Sequence, residues 1–215
     1  MSASTPALLK HLHWLGHDSF RIDRPIVVYI DPWRLPPDSP KADLILVSHH
    51  HYDHCSPEDV ENIRGAKTLV VANTTAAAKL NAPVRVLSPG KSLEVQGLRV
   101  EAVPAYNLDK KFHPRQEGHV GFVLEIGGER LYFAGDTDAI PEMETITCDV
   151  ALLPVSGTYT MTAEEAAGAA GKIRPRVAVP MHYGAGVAGS ADDAETFRRL
   201  SPVPVVVLKA ETSGG

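Results

Sequence analysis

Three apolar motifs in the first half of this chain return in the same order in the second half, and no other feature of the sequence restricts its architecture as much. Ser19-Phe20-Arg21-Ile22 is echoed by Gly121-Phe122-Val123-Leu124, VVYIDP around Asp31 by LYFAGD around Asp136, and DLILVS from Asp43 by DVALLP from Asp149, at separations of 102, 105 and 106 residues. After the third pair each half runs through a loop and a Pro-Glu or Ala-Glu helix start into a basic turn and a further strand, TLVVA or VAVPM. A repeated element order at a nearly constant separation marks one supersecondary unit built twice, and a β-rich unit is stable only when its apolar face is covered. The echo predicts two β-rich halves packed sheet against sheet with helices outside, an α/β fold in four layers, αββα. With 215 residues and no low-complexity linker or composition break, a single domain over 1–215 is expected.

Local patterning agrees. Apolar, β-branched runs bounded by turn residues predict strands at 26–30, 44–47, 68–71, 99–103, 122–126, 131–134, 150–153, 177–179 and 203–208. Helix starts are expected at Ser56-Pro57-Glu58, at Asn73-Thr74-Thr75 and at Thr162, where a capping side chain precedes a helix-forming run, and a fourth helix over 191–200. The proline-rich stretch 33–40 continues neither element and reads as a stiff loop able to overhang a site, and the small residues at 212–215 read as a frayed end.

Composition removes several function classes. Hydrophobic residues at 44% and charged residues at 22% match ordinary globular usage, which excludes a disordered or fibrous chain. No run reaches the roughly 18 apolar residues of a membrane span, and MSASTPALLKHLHWLG lacks the layout of a signal peptide, so a soluble, cytoplasmic protein without a membrane partner is expected. The net charge of −5 provides no global basic field, which disfavours nucleic acid as a partner unless a local basic groove exists. Two cysteines, Cys55 and Cys148, make neither a disulfide framework nor a thiolate zinc site, and both read as packed residues. Ten histidines are the unusual quantity.

Four of those histidines fall in Ser48-His49-His50-His51-Tyr52-Asp53-His54, directly after the strand LILV. While the chain is extended, alternate side chains share a face, so His49 and His51 can converge on one ion as the following turn brings Asp53 and His54 beside a second. Imidazole with carboxylate suits zinc, iron or manganese, whereas calcium and magnesium prefer oxygen shells.

The residues His49, His51, Asp53 and His54 meet the His-x-His-x-Asp-His signature of the metallo-β-lactamase superfamily, which the chain resembles over most of its length. The resemblance implies an αββα sandwich with a one- or two-metal site at one edge of the sheets. It further implies Asp136, in the Gly-Asp after a strand, as the carboxylate shared by two metals, and His182 in VAVPMHYG as the last histidine. For the remaining histidine the resemblance offers His113 in KKFHP and His119 in EGHVGF, and favours His113 because the family's ligand sits in the loop ahead of the strand. GHDSF at 16–20, DPW at 31–33, PAYN at 104–107 and TYTM at 158–161 look like the branch of small metal-dependent hydrolases related to ascorbate-6-phosphate lactonase, a functionally mixed branch. On this likeness His49, His51 and His113 would hold one ion, Asp53, His54 and His182 a second, and Asp136 would bridge. Two divalent ions, zinc foremost with manganese or iron admissible, would share a hydroxide nucleophile, with Asp53 orienting it or receiving its proton as the catalytic carboxylate.

Around this set, Asp31 is placed to brace a ligand's tautomer, and Asn107, His119 and Tyr183 are the candidate substrate contacts. His17 and Asp18 reach the site edge or serve as hydrogen-bond partners in a turn, the two readings carrying equal weight. Lys110, Lys111 and Arg115, with Asn107, would receive an anionic substrate if their loop is not simply solvated. The expected function is an enzyme, a metal-dependent hydrolase of a small ester, lactone or phosphoester. The alternatives are a nuclease of the same superfamily and a non-catalytic metal-binding or sensor module. The partner is a small molecule, and assembly as a homo-oligomer is left open.

Overall fold

The computed structural model describes residues 5–211, and the frayed end expected at 212–215 lies outside the described residues. Among the described residues, one sheet holds β1 (Leu12–Gly16), β2 (Ser19–Ile22), β3 (Val28–Ile30), β4 (Ala42–Val47), β5 (Arg64–Ala72) and β6 (Val84–Val86), side by side in that order. The other holds β7 (Ser92–Val95), β8 (Leu98–Pro104), β9 (Val120–Ile126), β10 (Glu129–Phe133), β11 (Val150–Pro154) and β12 (Val177–Met181), again in sequence order across the sheet. The helices are α1 (Pro57–Ile63), α2 (Thr74–Ala77), α3 (Ala163–Ile173) and α4 (Ala191–Leu200).

The internal echo is realised as topology. β2 and β3 pair antiparallel while β3–β4 and β4–β5 are parallel, and β9 and β10 pair antiparallel while β10–β11 and β11–β12 are parallel. Alternation along the strands then makes the layers. In β4, Leu44 and Leu46 join the core shared with the second sheet, whereas Ile45 and Val47 face outward onto Val60 and Ile63 of α1 and Ala76 of α2. The shared core carries Phe20, Ile22, Val28 and Ile30 from the first sheet against Phe122, Leu124, Leu131 and Phe133 from the second. On the far side, α3 packs on β11 and α4 on β12, which completes the αββα order.

The helix starts follow their caps. Ser56 accepts from Asp59 N with Pro57 in the first turn, Asn73 accepts from Ala76 N, and Thr162 with Glu165 forms a reciprocal capping box. The run 203–208 departs from expectation: it lies along β12 through a single bridge from Ala178 to Val205 and builds no ladder. Ala178 N donates to Pro204 O and Val206 N donates to Ala178 O, but continuing the ladder on either side would need an N–H from Pro204 or from Pro180 of β12, and neither has one. The strands β1, β6 and β7 are absent from the sequence reading because each is short and partly exposed, which blurs its alternation.

What matters for function is where the parallel strands end. Asp31 follows β3, the Ser48–His54 segment follows β4, Gly135-Asp136 follows β10 and His182 follows β12. Strands running parallel deliver their carboxyl ends to one edge, the place where α/β sheets bind ligands.

Candidate metal centre

The turns at these strand ends are held in unusual backbone conformations. His17, Asp31, His113 and His182 all have positive φ, at 53°, 45°, 56° and 60°. Such conformations persist in residues with a Cβ only where surrounding structure enforces them, and they cluster at functional sites. Here Trp14 Nε1 and His182 N both donate to the carbonyl of His17, tying the first and last of these turns together. Gly135 adopts φ 66° with the Val120 carbonyl 3.0 Å from where a Cβ would stand, so the residue before Asp136 has to be glycine.

Each imidazole is aimed by the group behind it. His54 Nδ1 donates to Asp31 Oδ2 at 2.8 Å, and because a carboxylate only accepts, Nε2 is left to face the centre. His113 Nδ1 donates to the Tyr159 carbonyl at 3.2 Å with the same consequence. Ser48 Oγ donates to Asp31 and therefore accepts from His49 Nδ1 at 2.9 Å. Ser156 Oγ stands 2.8 Å behind His182 Nδ1. Asp31, expected to brace a ligand, is hydrogen-bonded to His54 directly and to His49 through Ser48. An Asp31→Asn variant keeps a residue tolerant of positive φ but loses the charged acceptor. It is expected to weaken ion binding by about 10–100-fold, read by competition with a chromophoric chelator, while far-UV circular dichroism stays unchanged.

The inward-facing atoms form two neighbouring sets. His49, His51, His113 and Asp136 offer donor atoms within 4.8 Å of one another, and so do His17, Asp18, His54 and His182. His51 Nδ1 lies 3.1 Å from His49 Nε2 and 2.9 Å from His113 Nε2. Asp136 stands among them, with Oδ2 3.2 Å from His113 Nε2 and 3.3 Å from His182 Nε2, and Oδ1 3.4 Å from His54 Nε2. Asp53 lies further out: its Oδ2 accepts from His17 Nε2 at 3.0 Å and is 3.9 Å from His54 Nε2.

The electrostatics describe a centre prepared for cations. Burial pushes His49 well below its ordinary pKa, with His54 adding to the effect, and brings His51 to about 4. Burial likewise lowers His113. These three imidazoles are neutral near pH 7 and converge through His49 Nε2, His51 Nδ1 and His113 Nε2, nitrogens that in neutral rings can offer lone pairs to a cation. Burial opposes charge on His54 and His182 too, but Asp136 together with Asp18, and for His54 also the Asp31 hydrogen bond, outweighs it and lifts His54 well above the ordinary range and His182 to about 9. Burial would raise Asp136, yet His182, His54 and His113 hold it well below the carboxylate range. The atoms His54 Nε2, His182 Nε2 and Asp136 Oδ1 are buried without a hydrogen-bond partner. Orphaned nitrogens and carboxylate oxygens in one buried pocket are the donor chemistry of a divalent transition metal.

A cavity of about 190 Å³ opens onto this centre, lined by His51, Tyr52, Asp53, Phe112, His113, Asp136, Tyr159, His182 and Val187. Of the expected substrate contacts, none lines it. Asn107 donates to the carbonyls of Phe112 and Tyr159 and so shapes the His113 loop. Tyr183 is buried against Trp14, with ring centroids 4.8 Å apart. His119 lies behind His49 at 4.7 Å, its Nε2 2.9 Å from Glu117. Lys110 pairs with Asp138, and Arg115 pairs with Glu142 while stacking on Tyr106. The walls instead include Phe112 and Tyr159, in edge contact at 4.9 Å, and Tyr52, which Trp33 of the proline-rich loop props from behind at 5.9 Å. Phe112 and Tyr52 adjoin proposed ligands in the sequence, whereas Tyr159 has no such neighbour.

Comparison with known proteins agrees with this geometry. A family model described as a β-lactamase superfamily domain matches residues 11–182, and the chain belongs to that superfamily. It is similar to a UPF0173 metal-dependent hydrolase of Pyrococcus abyssi, 34% identical over 215 residues, with 91% of this chain and 95% of the relative covered. A second UPF0173 metal-dependent hydrolase, from Thermoplasma acidophilum, is 35% identical over 189 residues, covering 79% of this chain and 81% of the relative. Among solved structures, a protein of Parabacteroides distasonis assigned to the metal-dependent hydrolases superposes with a TM-score of 0.83 at 32% identity, covering 92% of this chain and 93% of its own.

Proposed function

We propose that this metal-dependent hydrolase holds two divalent ions and cleaves a small carboxylic ester or lactone, with a phosphoester as the less favoured substrate. The observation that carries the reading is Asp136, a buried carboxylate whose two oxygens face His54 on one side and His113 and His182 on the other. His49, His51 and His113 would hold one ion, His54 and His182 with Asp53 at the outer edge the other, and Asp136 both. The imidazole-rich first set suits zinc best, and manganese or iron(II) accepts the same donors. When bound, such ions acidify water and polarise a carbonyl or phosphoryl oxygen.

The chain's own residues do the remainder. Burial would raise the Asp53 carboxyl, but the His17 hydrogen bond and the charges of His54 and His17 together outweigh it and hold the group below its ordinary value, so Asp53 is ionised at neutral pH. It lines the cavity and is placed to take a proton from the attacking water and return it to the leaving group. Phe112, Tyr159 and Val187 give the acyl portion an apolar seat and exclude bulk water. The small cavity and the paired state of Lys110 and Arg115 support a neutral, compact substrate over a polyanion, which weighs against the nuclease alternative.

The test is turnover of an aryl acetate, a γ-lactone and a bis-aryl phosphate before and after chelation. The expected outcome is ester or lactone hydrolysis that chelation abolishes and zinc or manganese restores. Full metal loading with no metal-dependent turnover across the panel would move the reading to a non-catalytic metal-binding module.

A further inference from the structure

We propose that Asp18 is a ligand of the second ion and makes that position a carboxylate-rich site suited to manganese or iron(II). This rests on the two-ion reading above and adds to it a residue that the signature motif does not contain.

Asp18 is fully buried, and neither of its oxygens has a hydrogen-bond partner. Its Oδ2 lies 3.5 Å from His54 Nε2, 3.7 Å from His17 Nε2 and 3.8 Å from His182 Nε2. Two of these nitrogens, on His54 and His182, are themselves buried and unpartnered. The separations are too long for hydrogen bonds. Donor atoms about 2.1 Å from one ion stand about 3–3.5 Å apart, so the His54 separation fits a shared ion directly and the His182 separation exceeds it by a few tenths of an ångström, whereas His17 Nε2 donates to Asp53 and lies outside the ligand set. A buried carboxylate with no partner is unfavourable unless it is neutralised or coordinates a metal.

The placement is enforced by the fold. Asp18 sits in the turn between β1 and β2, and that turn is pinned by donation from Trp14 Nε1 and His182 N to the His17 carbonyl. Asp18 is absent from the cavity lining, whereas Asp53 belongs to it. The two carboxylates therefore divide the work: Asp18 closes the buried side of the second position, and Asp53 stands where substrate and water enter. The first set has three imidazoles and one carboxylate. The second has His54 and His182 with Asp18, Asp136 and Asp53, a balance toward oxygen that favours harder cations.

The experiment titrates Mn²⁺ into protein already carrying one equivalent of Zn²⁺, following free Mn²⁺ by electron paramagnetic resonance, for the wild type, Asp18→Asn and Asp18→Ala. The expected result is that the wild type takes up Mn²⁺ and that both variants keep the first zinc but bind Mn²⁺ at least about 10-fold more weakly. Unchanged Mn²⁺ affinity in variants that hold zinc would overturn the role of Asp18 while leaving the two-ion reading intact. A wild type that takes no second ion would overturn the two-ion reading and this proposal with it. X-ray absorption at the manganese edge of the wild type needs no variant: an oxygen-rich shell with about two imidazoles is expected, and a shell dominated by imidazole would overturn the proposal.

Discussion

Replacing Asp136 with alanine is expected to reduce the metal content from about two ions per chain to one or fewer and to lower hydrolysis by more than about 100-fold. The magnitude follows from position: groups that merely orient a ligand cost about 10–100-fold when removed, and Asp136 touches both donor sets directly. Its oxygens lie 3.2–3.4 Å from the Nε2 atoms of His113, His182 and His54, so no neighbouring side chain can replace it without displacing one of these rings. The substitution also leaves imidazoles facing one another across a pocket that has lost a negative charge. Elemental analysis and steady-state kinetics on the same preparation check both halves of the prediction. A variant that kept two ions and full turnover would remove Asp136 from the centre.

The second large effect is a pH dependence of stability confined to the ion-free protein. His182 is lifted to about 9 because Asp136 and Asp18 outweigh the burial that opposes its charge. A histidine whose folded pKa lies above its unfolded value of about 6.5 stabilises the fold fully below that value, and the contribution disappears as pH rises through the folded pKa. The ion-free protein should therefore lose about 3 kcal/mol between pH 6.5 and 9 from His182. His54, held well above its ordinary range, acts in the same direction. In the loaded protein both Nε2 atoms would bind metal instead of protons, so the loss should be absent and ion uptake should release protons. Urea unfolding of chelated and reconstituted protein at the two pH values measures the difference. A flat profile for the chelated form would mean that the carboxylates do not hold these imidazoles charged.

Much of this centre is legible in the sequence because its parts are local. His49, His51, Asp53 and His54 fall within one strand end, and Asp31, Asp136 and His182 each follow an apolar run whose meaning is clear from β-branched residues and turn glycines. The internal echo carried the fold further than any single strand, since equal separations report shared topology even where alternation is weak. Asp18 is illegible in the sequence for the opposite reason. A polar pair in a tight turn between two short strands is usually a local hydrogen-bonding feature, and only the convergence of β1, β4 and β12 turns it toward His54 and His182. Asn107, His119 and Tyr183 illustrate the same limit. Proximity in sequence to a ligand does not state which way a side chain turns, and each of the three is held by neighbours away from the cavity. The walls formed by Phe112, Tyr159 and Val187 meet only through long-range packing, which sequence periodicity does not encode.

The most direct test is anomalous diffraction from crystals of the reconstituted protein, with data collected on both sides of the zinc or manganese edge. Two peaks are predicted, one among His49, His51 and His113 and the other among His54, His182 and Asp18, with the Asp136 carboxylate between them. A single peak, or peaks away from these residues in crystals of the intact fold, would contradict a two-ion centre shared by Asp136.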